Sequence, residues 1–197
     1  MENQTKTVLL CGVGGQGTIL AADLLAFACM EAGLDVKVSE IHGMAQRGGA
    51  VTTVVRVGEQ VRSMVSDAGA ADVVVAFETT EALRNLPQLA LGGALIVNDE
   101  AIKPLPVLTG AAKMPERARE RLTEAGALLV PADRIARSCG NAKCANVVLV
   151  GALSAALDIP EEIWRRAVEA RVPAKTVEAN LAAFAAGRAF VEDGEGE

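Results

Sequence analysis

The sequence has few aromatic residues and few of the residues that usually mark a metal or catalytic centre. Tyrosine is absent, tryptophan occurs once, and a single histidine is present among 197 residues. The four cysteines include no CxxC pair, which excludes the common zinc and ferredoxin-type iron–sulphur motifs. No Ser/His/Asp or Cys/His catalytic set is legible. Any metal or redox cluster that the function needs is therefore expected on another chain.

The sequence also lacks a dense basic run and a long apolar run. The net charge is −6, and without clustered lysine and arginine there is no footprint for a nucleic-acid backbone. The longest apolar stretches, residues 19–30 and 146–157, are too short and too interrupted to cross a bilayer. The polar start of the chain lacks the apolar core of a signal peptide. We expect a cytoplasmic protein that binds neither nucleic acid nor membrane.

The cysteines are compatible with a reducing compartment. Cys11 and Cys29 fall in apolar segments, where cysteine behaves as a small hydrophobic residue. Cys139 and Cys144 are near enough in sequence to form a disulfide or a thiol site, although buried thiols are favoured in a cytoplasmic chain.

The order of the predicted elements indicates the fold class. Strand-like and helix-like segments alternate to about residue 135, and helices follow. This pattern predicts an α/β fold, a three-layer Rossmann-like sandwich with a mainly parallel sheet and a helical C-terminal segment. A hairpin insertion is predicted from residues 51–57 and 61–65. We expect a single domain over residues 1–191 and a disordered acidic tail over residues 192–197.

Apolar periodicity and capping residues place the individual elements. Thr79 or Thr80 is expected to cap one helix and Asp133 another, whereas residues 103–110 are expected to be irregular. The helix over residues 18–32 is nearly all apolar, so it should be buried on more than one side. Strands are predicted near residues 8–11, 36–39, 51–57, 72–78, 91–98 and 127–132, and helices near residues 18–32, 79–86, 113–126, 134–138, 146–157, 159–171 and 176–190.

A glycine-rich turn, GVGGQG, directly follows the first strand. It fits the GxGxxG spacing and opens a helix, a context in which backbone N–H groups contact an anion. The same glycines could instead serve only to make a tight turn, and the side chain of Gln16 would occupy space near a bound pyrophosphate. The candidate anion-binding turn consists of Gly12, Gly14, Gly15, Gln16 and Gly17.

A second loop, following the strand over residues 36–39, collects polar side chains among glycines. Both loops leave the carboxyl ends of their strands, the edge at which a parallel sheet binds ligands. Arg47 suits a carboxylate or phosphate, and His42 suits proton transfer near neutral pH. Glu40 also stands where a nucleotide-binding fold places its ribose-binding acid, so a stand-alone nucleotide-binding module is an alternative. The candidate residues of this loop are Glu40, His42, Gln46 and Arg47.

GVGGQG followed by SEIHGMAQRGGAV resembles the gamma-type domain of the 2-oxoacid:ferredoxin oxidoreductase family. The likeness continues through ADVVVAFETTEALR, GGALIVN, NVVLVGAL and KTVEANLAAFAAG, and it covers about residues 6–190. Within that family, the HGMAQRGG form is most similar to small (beta) subunits of enzymes that act on indolepyruvate.

The resemblance implies oxidative decarboxylation of indolepyruvate or another arylpyruvate with CoA, giving an aryl-acetyl-CoA, CO₂ and reduced ferredoxin. It places thiamine diphosphate, Mg and [4Fe–4S] clusters on a large (alpha) partner subunit, and it leaves no cofactor on this chain alone. It also implies that Glu40, His42, Gln46 and Arg47 contribute to the substrate/CoA pocket, with no catalytic residue on this chain. Pyruvate or a branched 2-oxoacid remains an alternative substrate.

Overall fold

A computed structural model describes residues 5–42 and 49–194. The strands in this part of the chain are β1 (Lys6–Val13), β2 (Asp35–His42), β3 (Ala50–Gly58), β4 (Ala71–Ala76), β5 (Leu89–Asn98) and β6 (Leu128–Val130). The α-helices are α1 (Thr18–Glu31), α2 (Thr79–Asn85), α3 (Leu105–Leu108), α4 (Ala118–Glu124), α5 (Ala132–Ser138), α6 (Ala145–Ala155), α7 (Glu161–Arg171) and α8 (Val177–Gly194). Short 3₁₀ turns cover Leu86–Gln88, Ala142–Cys144 and Ala174–Thr176.

The strands form one sheet in the order β2-β3-β1-β4-β5-β6. Strands β1, β4, β5 and β6 run parallel, whereas β3 is antiparallel to both β1 and β2. One apolar cluster joins the sheet to α1, α6, α7 and α8, and a second joins its other face to α2 and α4. The predicted three-layer α/β sandwich, with its mainly parallel sheet and helical C-terminal segment, is confirmed.

The antiparallel hairpin insertion exists, and its predicted first arm, residues 51–57, lies within β3, but the predicted second arm is wrong. Strand β3 pairs with β2, and residues 61–65 form no strand. The reason is that β3 has β1 on one side and β2 on the other, so it has no free edge for a further arm. Residues 61–65 are instead attached through Arg56, whose Nη1 donates to the carbonyl oxygens of Ser63 and Val65, each at 2.8 Å.

Helix α2 is capped by the residue before the two predicted ones. The carboxylate of Glu78 accepts hydrogen bonds from the backbone N–H groups of Thr80, at 3.0 Å, and of Glu81. The prediction of Thr79 or Thr80 as the cap is wrong, because the longer side chain of Glu78 reaches both donors from the end of β4.

Helix α5 begins at Ala132, so the predicted cap, Asp133, lies inside its first turn. The Asp133 carboxylate accepts a hydrogen bond from Asn98 instead (Nδ2 to Oδ2, 2.9 Å). Asn98 Oδ1 accepts from the backbone N–H of Ala132 at 3.2 Å. The first backbone N–H of α5 is therefore satisfied by a side chain from β5 rather than by the predicted local cap.

In the segment between β5 and β6, the structure differs from the prediction at two places. The helix predicted over residues 113–126 is confined to α4, since Arg117 adopts a left-handed conformation (φ 53°) immediately before it. The stretch expected to be irregular contains the single-turn helix α3. Its prolines, Pro104 and Pro106, stand at its start, where a missing N–H costs no helical hydrogen bond.

The C-terminal boundary also differs from the prediction. Helix α8 runs through Gly194, so residues 192–194, which were expected to belong to the disordered tail, are helical. An ion pair one helical turn apart, Arg188 Nε to Glu192 Oε1 at 2.9 Å, supports this extension. Residues 195–197 lie outside the described residues, and the single domain over residues 1–191 stays a prediction.

Helix α1 is buried on more than one side, as its composition predicts. Its buried residues include Leu24, Leu25 and Cys29, which belong to the larger apolar cluster against the sheet. On another side, Arg171 of α7 lies 5.0 Å from the centre of the Phe27 ring and 3.1 Å from a carboxylate oxygen of Asp23. Part of the covering that α1 needs therefore comes from α7 of the same chain.

Helices α6 and α8 cross closely because each has a glycine at the crossing. A Cβ on Gly151 would collide with the carbonyl oxygen of Phe184, and a Cβ on Gly187 would collide with that of Val148. Both glycines have ordinary helical backbones, so they are needed for close approach rather than for conformational freedom. This crossing closes the helical layer over the larger apolar cluster.

We expect Gly187→Ala to lower the free energy of unfolding by about 2 kcal/mol, because overpacking at a backbone contact costs about 1–3 kcal/mol. The measurement is urea denaturation followed by the fluorescence of Trp164, which is the only tryptophan and is fully buried.

Ala185→Gly, at an exposed position of α8, is the matched control. It should cost about 1 kcal/mol through helix propensity alone. Propensity by itself would make Gly187→Ala stabilising, so a gain in stability for that variant would contradict the close crossing.

Candidate functional site

The glycine turn and the two ends of the second loop, His42 and Gly49, lie at the same edge of the sheet. Val13 pairs with Ala50 and His42 with Val51, so β1 and β2 end where β3 begins. The backbone N–H of Gly14 donates to the carbonyl oxygen of Gly49 at 2.9 Å. The strand ends from which the two loops leave therefore lie at one edge, as predicted.

Not every residue of the second loop can be located. Glu40 lies near the end of β2 and its side chain is exposed. His42 is the last residue of β2, and only its backbone is described. Gln46 and Arg47 lie outside the described residues, so their assignment to a pocket stays a prediction.

The position of Glu40 argues against the nucleotide-binding alternative. Glu40 pairs with Thr53 of β3, and Thr53 pairs with Leu10 of β1, so a whole strand separates Glu40 from β1. Two strand spacings put its backbone about 10 Å from β1. The strands next to β1 are β3 and β4, and Glu40 lies on neither of them, whereas the ribose-binding acid of a dinucleotide site must reach the ligand at the glycine turn.

Gln16 fills the crevice between the ends of β1 and β4. Its Oε1 accepts a hydrogen bond from the backbone N–H of Val13, and its Nε2 donates to the carbonyl oxygen of Phe77, both at 2.8 Å. A Cβ on Gly12 would lie 2.9 Å from Gln16 Oε1 and 2.8 Å from Phe77 Cβ. Gly12 is thus needed to make room for Gln16, whose side chain lies between the ends of β1 and β4.

The remaining glycines of the turn are explained by backbone conformation. Gly15 and Gly17 have φ values of 105° and 81°, which favour glycine. The N–H groups of Val13 and Gly14 already have protein acceptors. No side chain caps the first turn of α1, and that turn carries no acid. The backbone N–H groups at the start of α1 are therefore the candidates for contact with an anion, and this contact stays a prediction.

A cavity of about 390 Å³ lies on the other side of Gln16, over the ends of β4, β5 and β6. Gln16 and Lys143 also line the cavity, and sequence reasoning assigned no site role to its other polar side chains, which are Asn98, Glu100, Asp133 and Asn146. A signal was present in the sequence, because two polar residues, Asn98 and Asp99, directly follow the apolar run of β5. Asn98 is 4% exposed and is fixed by Phe77 O (3.3 Å) as well as by its contacts to α5.

Burial shapes the acid–base properties of this edge. Burial raises the pKa of Glu100, and the neighbouring Asp133 raises it further through a hydrogen bond and through its charge. The charge of Glu78 also raises this pKa, whereas the charge of Arg137 lowers it. The pKa of Glu81 is raised by burial, and its Oε2 has no hydrogen-bond partner in the described part of the chain.

The cysteines carry free thiols. Burial raises the pKa of Cys29 to about 12 and also raises the pKa values of Cys11 and Cys144. Cys144 is buried and Cys139 is half-buried, and they form no disulfide. Within residues 5–42 and 49–194, no group of three or more His, Cys, Asp or Glu residues is placed to hold a metal ion. No helix in these ranges has the length and apolar character needed to cross a membrane.

Comparison with known proteins gives consistent matches along the chain. A family model described as pyruvate ferredoxin/flavodoxin oxidoreductase matches residues 7–190. The chain is 38% identical over 187 residues to indolepyruvate oxidoreductase subunit IorB of Thermococcus kodakarensis, covering 91% of this chain and 93% of the relative. It is 32% identical to 2-oxoglutarate synthase subunit KorC of Methanothermobacter thermautotrophicus, covering 96% of each chain.

Solved structures share the fold. The gamma subunit of a keto/oxoacid ferredoxin oxidoreductase from Geobacter sulfurreducens superposes with a TM-score of 0.71 at 26% identity, covering 95% of this chain and 99% of that chain. A 2-oxoglutarate:ferredoxin oxidoreductase from Magnetococcus marinus gives a TM-score of 0.75 at 24% identity. That match covers 98% of this chain and 32% of the longer one.

We expect Gln16→Ala to lower the free energy of unfolding by about 1–3 kcal/mol, because it leaves the N–H of Val13 and the carbonyl of Phe77 without their partner. Urea denaturation is the measurement. Gln88→Ala is the matched control, since Gln88 is also half-buried but its side chain makes no hydrogen bond within the described residues. Equal stabilities of the two variants would contradict a bridging role for Gln16.

Proposed function

Because the chain belongs to the pyruvate ferredoxin/flavodoxin oxidoreductase family, we propose that it is the small subunit of a ferredoxin-dependent enzyme that oxidises indolepyruvate and other arylpyruvates. The main support is identity of 36–38% to IorB subunits from four organisms over about nine-tenths of the chain. The two KorC subunits are 29–32% identical. The motif HGMAQRGG supports the same branch of the family.

The proposed reaction is an oxidative decarboxylation. The bond between the carboxylate and the keto carbon breaks and releases CO₂, the sulphur of CoA forms a thioester with the former keto carbon, and the thiol proton is released. Two electrons pass to ferredoxin. Thiamine diphosphate with Mg supplies the carbanion chemistry, and [4Fe–4S] clusters carry the electrons; we assign all of these groups to the large subunit.

The proposed contribution of this chain is a binding surface at the carboxyl edge of β1 and β2. There Glu40, His42, Gln46 and Arg47 would contact the 2-oxoacid or CoA, and the first turn of α1 would contact an anionic group. The hydrogen bond between Gly14 and Gly49 supports this assignment, since it joins the glycine turn to the residue at which the second loop ends.

The same edge is suited to a partner subunit. Ile19, in the first turn of α1, is 63% exposed, and Ile41, beside the end of β2, is 65% exposed. Large apolar side chains exposed beside a candidate site favour a protein–protein contact. We assign this contact to the large subunit, within a cytoplasmic complex that passes electrons to ferredoxin.

The experiment that tests the proposal is co-expression with the large subunit, followed by CoA-dependent ferredoxin reduction with a substrate panel. The panel comprises indolepyruvate, phenylpyruvate, pyruvate, 2-oxoisovalerate and 2-oxoglutarate. We expect kcat/KM for the arylpyruvates to exceed the others by about tenfold or more, because a pocket shaped for an aromatic ring discriminates by more than 1 kcal/mol. Preference for pyruvate or 2-oxoisovalerate would leave the proposed enzyme class intact but would show that the proposed substrate is wrong. A chain that purifies alone and binds NAD tightly would overturn the subunit proposal.

The role of the second loop is tested by Arg47→Ala in the complex. We expect kcat/KM to fall by about 10- to 100-fold, because a charge-assisted hydrogen bond contributes about 1.5–3 kcal/mol. Co-purification of the subunits should be unchanged. Arg62→Ala is the matched control, since Arg62 is exposed and lies beyond the opposite end of β3. Unchanged kinetics for Arg47→Ala would show that this arginine contacts neither substrate nor CoA.

A further inference from the structure

A long connection leaves the carboxyl end of β5 and leads to α4. It spans residues 99–117, and its only regular structure is the single-turn helix α3. Connections of this length are uncommon in a compact domain, and the ordered ones are usually binding loops or lids. Because β1, β4 and β5 run parallel, this connection starts at the same edge of the sheet as the glycine turn.

The middle of the connection, residues 103–115, is folded on itself. The backbone N–H groups of Val107 and Ala112 donate to the carbonyl oxygens of Pro104 and Pro106 at 2.9 and 3.0 Å. Within the described part of the chain, no hydrogen bond or ion pair joins residues 103–115 to any other segment. None of these residues is buried. They form a surface protrusion, the α3 knob.

The two ends of the connection are held firmly. Arg119 Nη2 lies 2.6 Å from Asp99 Oδ2, which joins the first turn of α4 to the end of β5. The N–H of Thr79 donates to the carbonyl oxygen of Glu100 at 2.8 Å. The N–H of Ile102 lies 3.4 Å from the buried carboxylate of Glu78. These contacts fix where the α3 knob stands at the edge of the sheet.

The surface of the α3 knob is apolar and cationic. Leu105 and Leu108 are 71% and 66% exposed, and they lie side by side because they are three residues apart on one helical turn. Lys103 and Lys113 flank them, and residues 103–115 contain no acid, although the whole chain has a net charge of −6. Adjacent exposed leucines mark an interaction surface. The lysines favour a partner with acidic groups around an apolar recess.

We propose that the α3 knob docks into the large subunit, in an apolar recess with carboxylates at its rim. This inference rests on the proposed function, because it needs that subunit as the partner. The knob extends the contact surface assigned to Ile19 and Ile41 at the same edge. Four strand spacings, about 19 Å, separate β2 from β5. A standard interface covers about 800 Å² on each partner, roughly 30 Å across, so one partner can cover both apolar groups.

Two other occupants fit less well. An anionic lipid surface also accepts leucines and lysines, but such binding is typical of clusters of about 4–8 basic residues, and the knob has two. In a two-fold dimer the same patch meets itself. A second copy of this chain would therefore bring the lysines of one knob against those of the other.

The experiment introduces Leu105→Glu and Leu108→Glu together into the full chain, co-expressed with a tagged large subunit. We expect Kd for the complex, measured by dilution and mass photometry, to rise by about 100-fold or more, because two carboxylates would enter an apolar recess. Leu91→Glu is the matched control, since Leu91 is fully exposed near the start of β5, at the opposite edge of the sheet. Circular dichroism of the isolated chains checks folding.

The outcomes separate this inference from the proposed function. Equal Kd values for the double leucine variant and Leu91→Glu would overturn the docking role of the α3 knob while leaving the subunit assignment intact. A wild-type chain that does not bind the large subunit would overturn the proposed function, and this inference with it.

The acidic rim is tested by Lys103→Glu combined with Lys113→Glu. We expect Kd to rise by about tenfold, and the difference from the wild type should shrink at high salt because exposed charges are screened. Lys175→Glu, at an exposed position before α8, is the matched control. An unchanged Kd in the lysine variant would show that the recess has no acidic rim.

The competing occupants are tested with the same leucine variant. Flotation with vesicles of phosphatidylcholine and phosphatidylserine tests a lipid surface, and sedimentation of the isolated chain tests a second copy. We expect neither vesicle binding nor self-association that depends on Leu105 and Leu108. Either one, together with an unchanged complex, would overturn the proposal in favour of that occupant.

Discussion

The antiparallel strand β3 determines where the candidate site residues lie, because it pairs with β1 on one side and with β2 on the other. That arrangement returns the chain from the end of β2 to the end of β1, where Gly49 accepts the N–H of Gly14. It also moves β2 to the edge of the sheet, together with Glu40. The same insertion therefore brings the ends of the two loops to one edge and places Glu40 on a strand that is not next to β1.

Gln16 also determines where a ligand can bind, at the centre of the carboxyl edge of the sheet. Open α/β sheets bind ligands in the crevice where neighbouring strands end, but here a side chain closes the crevice with two hydrogen bonds of 2.8 Å. The side chain of Gln16 thereby separates the edge beyond β1 and β2 from the cavity over β5 and β6. Gly12 is the local requirement for this arrangement, since a Cβ there would meet both Gln16 and Phe77.

The parts of the fold that depend on local pattern could be predicted from the sequence. Apolar runs placed β1, β4 and β5, and the glycine turn with HGMAQRGG indicated the family that the comparisons confirm. The neighbours of β3 could not be predicted, because alternating valines fit any strand beside them. The cavity was missed for a similar reason: Asn98 and Asp133 are 35 residues apart and Asn146 and Gly17 are 129 apart, so no local periodicity relates them.

The two parts of the edge share one atom, the carbonyl oxygen of Phe77. It accepts from Gln16 at 2.8 Å and from Asn98 at 3.3 Å. Gln16 in turn accepts a hydrogen bond from Val13, which lies in the glycine turn. Asn98 in turn is hydrogen-bonded to Asp133 and to the backbone at the start of α5. A carbonyl has two lone pairs, so both donors can be accommodated at once. The glycine turn and the start of α5 are therefore held to one backbone atom at the end of β4.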